Sequence, residues 1–159
     1  MKRAGNNRGT TAVEFAAVLP VFIMLILGIV DFGFYFFVQH TVQYATREGT
    51  RLALTGGKLK DSHGDFLSRE ASIVTTIKDH ASLAVDPEKL NINIFPVAID
   101  YSDPDDWNGQ SDAGKPGAYM RVRTSYTYEL LTPMIGAFFP GGNILVQAES
   151  TYRNEMFDT

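Results

Sequence analysis

The chain has 159 residues, no cysteine, 14 Lys and Arg against 18 Asp and Glu, and a net charge of −4. That length holds one membrane segment and one small domain of roughly 120 residues, and the lack of cysteine rules out a disulfide framework or a thiolate metal site. Residues 1–13 carry Lys2, Arg3 and Arg8 and no acid, which leaves the rest at −7 and argues against nucleic acid as a partner, since phosphate binding needs clustered Lys and Arg.

A basic leader comes first, then Gly9, and five residues later Glu14. An apolar run of 24 residues, Phe15–Val38, follows and is broken only by Asp31. As a helix it spans about 36 Å, enough to cross a ~30 Å hydrocarbon core with some tilt. The run is apolar on every side rather than along one stripe, unlike the amphipathic helix of a soluble core. A cleaved secretory signal is a second alternative, but its apolar region would be unusually long and no convincing small-x-small site follows Val38. The basic flank keeps the N-terminus cytoplasmic and sends the bulk of the chain across. Pro20 removes the backbone bond to the Ala16 carbonyl, a place for a kink. Gly28 and Gly33 are small positions where another helix can approach.

A carboxylate in a membrane helix is costly. Glu14 has two readings: an ion pair with a neighbouring subunit during assembly, or a residue at the headgroup level. Asp31 lies 17 residues further on, about 26 Å along a helix, near the opposite interface. It either snorkels there or pairs with a partner in the membrane.

The helix is expected to continue to Leu54, because Val38, Val42, Ala45, Gly49 and Leu52 form one apolar stripe. Gly56-Gly57 ends it. Arg47 and Arg51 share the other side, with Glu48 three residues before Arg51; this is a solvated face or a contact for a partner subunit. A second helix is expected over Phe66–Ala84, with Leu67, Ala71, Val74, Ile77, Ala81 and Ala84 inward. The period then changes to two. Leu90, Ile92 and Ile94 alternate, and a phase flip at Phe95, with a bulge at Pro96, carries the pattern on through Val97 and Ile99. Further strands are expected over Tyr119–Leu130 and Ile144–Tyr152. The fold class is therefore α+β: a long N-terminal transmembrane helix continuing into a small head with a second helix and a three-stranded antiparallel sheet.

The loop Asp100–Gly117 contains Asp100, Asp103, Asp105, Asp106 and Asp112. Its spacing misses a wrapped calcium loop, because Trp107 stands where an oxygen ligand belongs. His40, His63 and His80 match no ligand spacing, and no hydrolase, zinc-protease or phosphate-loop motif occurs. Metal, cofactor and catalytic residues are accordingly expected to be none. Leu130–Phe139 holds Leu131, Met134, Ile135, Phe138 and Phe139, either as a cap on the core or as an exposed contact patch.

The segments Arg8-Gly9-Thr10-Thr11-Ala12-Val13-Glu14-Phe15, Leu19-Pro20, Gly28-Ile29-Val30-Asp31-Phe32-Gly33 and Arg47-Glu48-Gly49-Thr50-Arg51 together resemble the TadE-like family. These are minor pilins, or pseudopilins, of the tight-adherence (type IVc) pilus system, and the resemblance runs over about residues 8–54. It implies a prepilin peptidase cut between Gly9 and Thr10, which makes Glu14 the fifth residue of the mature chain. It implies as partners the peptidase, other minor and major pilins, the inner-membrane assembly platform and membrane lipid. The expected organisation is a leader at 1–9, a transmembrane helix with its periplasmic extension at 10–57, and a periplasmic head at 58–159. The competing reading is a single-pass membrane-anchored periplasmic enzyme or binding protein whose helix is only a tether.

Overall fold

The computed structural model describes residues 8–157, so Lys2, Arg3 and the rest of the expected leader before Arg8 lie outside the described residues. The chain is α+β. Helix α1 (Arg8–Leu54) is 47 residues long and runs through Pro20 as one helix. It ends where the sequence expects. Gly56 takes φ +70°, and the Gly56 and Gly57 amides donate to the Ala53 and Leu52 carbonyls at 3.1 Å each. A left-handed residue after the last turn satisfies carbonyls that the helix leaves open, and glycine adopts it without a Cβ clash.

Helix α2 (Arg69–Ala81) is shorter than the periodicity suggests. The Ser68 hydroxyl accepts from the Ala71 amide at 3.1 Å and caps the helix there. Upstream, the Leu67 amide donates to the Leu59 carbonyl at 2.9 Å, and Lys60 bridges Phe66. Phe66 and Leu67 are therefore already committed to an extended turn. The inward face is also rotated: Ser72, Ile73, Ile77 and Ala81 are buried, whereas Ala71 and Val74 are half-buried.

Three strands follow, β1 (Asn91–Pro96), β2 (Tyr119–Glu129) and β3 (Asn143–Arg153), in the spatial order β1-β2-β3. The expected phase flip in β1 is absent. Pairing with β2 is continuous from Asn91↔Ser125 to Pro96↔Met120, with no residue inserted. Ile94 and Phe95 are both buried because both faces of the sheet are covered at that point. Ile94 and its partner Val122 face inward with Met120 and Val146. Phe95 faces outward, under Trp107 of the long loop, with ring centroids 5.6 Å apart. Ile99, expected to continue the strand, is exposed.

Two compact units emerge. One joins α1 up to Tyr35 with Glu129–Ile144, which includes the single-turn helix α3 (Pro133–Gly136). The other holds Phe36–Tyr128 and the chain from Leu145 on. The core of the second unit gathers Val38, Val42, Ala45 and Ala53 of α1, Ile73 and Ile77 of α2, and Ile94, Met120, Val122 and Val146 of the sheet.

Candidate functional site

The functional residues expected from the sequence all lie on α1. Gly9 and Thr10 form its first turn, exposed, and a Cβ built on Gly9 would meet nothing within 4 Å. The amides of a first helical turn have no partner four residues back, so this turn unwinds at low cost. Glu14 is exposed among exposed neighbours, and Val13, Phe15, Val18, Val21 and Phe22 all stand free of the fold. The helix Gly9–Leu54 is long and apolar enough to cross a membrane, and none of its most apolar window is buried by protein. No other such helix occurs among the described residues.

Asp31 is different. It is fully buried, and its carboxylate is held by the chain 100 residues away. Oδ1 accepts from the Leu131 amide at 2.7 Å; Oδ2 accepts from the Thr132 amide at 3.2 Å and also from the Thr132 hydroxyl. Phe139 packs edge-on against Phe32, with centroids 6.2 Å apart, and a Cβ on Gly28 would sit 3.8 Å from Ile135 Cδ1. The two readings of Asp31 from the sequence were snorkelling and pairing with a partner in the membrane; the structure supplies partners within the chain. Two amides and a hydroxyl are three donors to one carboxylate, the arrangement that makes a buried charge tolerable.

The apolar stretch after β2 divides between its two expected roles. Ile135 and Gly136 are buried, while Leu131, Met134 and Phe138 are exposed.

Beyond Tyr35, α1 presents a second surface. Glu48 and Arg51 form an ion pair at 2.8 Å on the outside, and Arg47 is exposed beside them. Glu48 and Arg51, together with Leu52, Thr55, Leu59, Thr76, Asp79 and His80, line an open cleft of about 430 Å³. Gly49, within the same motif, has a packing role. A Cβ there would collide with Ile77 Cγ1, lie 2.9 Å from Ile77 Cδ1 and 3.3 Å from the Ile73 carbonyl. Glycine is what lets α1 and α2 approach.

The acidic loop is tied down by arginines. Arg123 Nε donates to Glu149 at 2.6 Å, and Arg123 Nη2 donates to Asp103 at 2.7 Å; Arg121 also binds Asp103. The Arg123 guanidinium stacks 4.2 Å from the Trp107 ring centre. Burial by itself would lower the pKa of Arg123, but the hydrogen bonds and charges of Glu149 and Asp103 outweigh it and raise it. Trp107, read from spacing as an obstacle to ion binding, is a cover for the outer face of the sheet. Among the described residues no group of three or more His, Cys, Asp or Glu side chains is gathered as for a metal.

The C-terminal segment closes the head. Asn154, buried, donates to the Ala113 and Lys115 carbonyls at 2.9 Å each, and the Glu155 amide reaches the Leu54 carbonyl at 2.9 Å. Arg69 donates to the Gly114 and Ala53 carbonyls at 2.7 and 3.1 Å. Sequence reasoning missed these three. Single polar residues in a polar stretch carry no periodic signal.

The family model described as TadE-like protein matches residues 9–51, which cover Gly9, Glu14, Asp31 and the Arg47–Arg51 segment. That match is consistent with a TadE-like protein of the Tad pilus system. No curated protein and no solved structure gives a significant match.

Proposed function

We propose that the chain is a minor pilin, or pseudopilin, of a tight-adherence pilus, serving in pilus initiation, assembly or adhesion rather than in catalysis. The observation that carries this reading is the family match over 9–51, which begins at Gly9 and contains an exposed carboxylate five residues later. The N-terminus stays on the cytoplasmic side of the bacterial inner membrane and the head stands in the periplasm, following the basic flank. Residues 1–9 are the leader, 10–57 the span and its extension, and 58–159 the head.

In this reading a prepilin peptidase cuts between Gly9 and Thr10. The bond sits in a first helical turn that is easily opened, and glycine adopts the extended form a protease needs. Cleavage frees an ammonium at Thr10. Glu14, exposed, then neutralises the N-terminus of a neighbouring subunit at the same depth. Two opposite charges in a low dielectric are tolerable together and costly apart. Arg47, Glu48 and Arg51 supply a charged face for a neighbouring pilin or the assembly platform.

Mass spectrometry of protein from cells containing the peptidase tests the processing step. The expected N-terminus is Thr10; a native chain beginning at Met1 sinks the proposal. Because a Cβ at Gly9 would meet nothing within 4 Å, Gly9→Leu reports chiefly on peptidase recognition and should leave the leader attached. Glu14→Ala and Glu14→Gln should both insert and be processed, then fail to co-purify with other pilins. Normal assembly in both would remove the pairing role.

A further inference from the structure

We propose that the loop Leu130–Gly142 is a second lipid contact, lying in the outer interface of the bilayer that α1 crosses, with Asp31 as the positioning residue that holds it there. The inference rests on the membrane-spanning reading of α1.

Depth is the first argument. Asp31 stands about 26 Å beyond Glu14 along the helix, close to the far boundary of a ~30 Å hydrocarbon core when Glu14 is at the near one. The loop is bonded to Asp31 through the Leu131 and Thr132 amides. It also packs Ile135 against Gly28, three residues earlier on α1 and therefore about 4.5 Å deeper. Around this level the helix exposes Ile29, Val30, Phe32 and Phe34, so lipid already surrounds it there.

The chemistry of the loop is the second argument. No charged residue occurs between Glu129 and Glu149. Leu131, Met134 and Phe138 are 57%, 41% and 71% exposed, a patch that water would disfavour.

The third argument is backbone satisfaction. Irregular backbone is costly near a bilayer where its polar groups lack partners, and most amides of this loop have one. The amides of residues 136, 137, 138, 139 and 142 donate to carbonyls within the loop, the Leu130 amide donates to the Gly142 carbonyl, and Pro133 and Pro140 have no amide to satisfy. The Leu131 and Thr132 amides go to Asp31. Asp31 thus takes the place of water for the two donors at the mouth of the loop.

The chain has no cysteine, so single-cysteine variants carry one nitroxide each. Full-length protein, diluted in phosphatidylethanolamine–phosphatidylglycerol vesicles without other proteins, is labelled at Phe138→Cys, at Val21→Cys in the span or at Leu83→Cys on the head. Accessibility to oxygen, which partitions into lipid, is compared with that to a water-soluble nickel chelate. The expected result is lipid access at 138, shallower than at 21, with aqueous access at 83. In the 138-labelled protein, Asp31→Ala should move the label into water, and Asp31→Asn, which keeps one acceptor oxygen, should restore part of the lipid access. Aqueous access at 138 with lipid access at 21 overturns the loop placement and leaves the span intact. Aqueous access at both overturns the spanning reading and this inference with it. A label at 138 shielded from both reagents marks a protein contact and overturns the lipid assignment. Unchanged access at 138 in Asp31→Ala overturns the positioning role.

Discussion

The two halves of α1 are one continuous helix built for different surroundings. Before Tyr35 nearly every apolar side chain is exposed, from Val13 through Phe34. After it, Val38, Val42, Ala45 and Ala53 are buried with Thr46 and Thr50, whose hydroxyls donate to carbonyls four residues back at 2.8 Å. The first half is apolar on all sides and finds little protein to pack on; the second is apolar along one stripe, and that stripe is buried. Exposure of so much apolar surface is unfavourable in water and natural in lipid. Helical continuity therefore says nothing about environment. The width of the apolar face does.

Large-to-small substitutions are the strongest way to break this contrast. Ile77→Ala empties a fully buried site against α1 and should cost the head about 2–5 kcal/mol. Ile23→Ala, on the exposed half, should leave head stability within about 0.5 kcal/mol. Unfolding of detergent-solubilised protein followed by the fluorescence of Trp107, the single tryptophan, measures both. Equal losses would mean that the halves are not distinct.

Alkaline pH should separate them next. The Tyr152 hydroxyl is buried without a hydrogen-bond partner among the described residues, and burial pushes its pKa up to about 12 from 10.0. Arg69 acts against the rise, while Asp112 and Glu70 add to it. Below pH 10 folded and unfolded chains both hold the proton, and the contribution is full. Between 10 and 12 the unfolded chain releases it first, so stability falls as pH rises, by an amount on the order of 2 kcal/mol. The Trp107 transition should move accordingly while the helical circular dichroism of the span persists in detergent. Tyr152→Phe should remove this part of the alkaline slope.

Two glycines on the same helix sharpen the comparison. Gly49→Ala drives a methyl into Ile77 and should destabilise the head by about 1–3 kcal/mol. Gly33→Ala meets nothing within 4 Å and should leave the head melt unchanged. A tolerated Gly49→Ala would show that α1 and α2 can move apart freely.

The smallest effect is expected at the charged face. Arg51→Ala removes an exposed ion pair with Glu48 and should change head stability by less than about 0.5 kcal/mol. Loss of pilin co-purification in that variant, with an unchanged melt, would assign the face to a partner. A large drop in melting temperature would make it structural instead.

By itself, the sequence determined what periodicity and local chemistry encode. The apolar run, the single stripe from Val38 on, the glycine stop after Leu54 and the places of three strands are each written in neighbouring residues, and the structure follows them. The start of α2 was also local, since Ser68 is a capping residue, but the apolar pattern through Phe66 and Leu67 masked it. Tertiary structure decided the rest. Phe95 is buried because a loop brings Trp107 over the sheet, and alternation within one strand cannot record what covers its second face. Asn93 is buried because its side chain accepts from the Gly109 amide at 2.6 Å, 16 residues away. Asp31 reads along the helix as a charge in search of a partner. Its donors, the amides of Leu131 and Thr132, are backbone groups that every residue carries, so no residue type announces them. Only the folded path of the chain, which brings two ordinary amides to one carboxylate, determined where that charge rests.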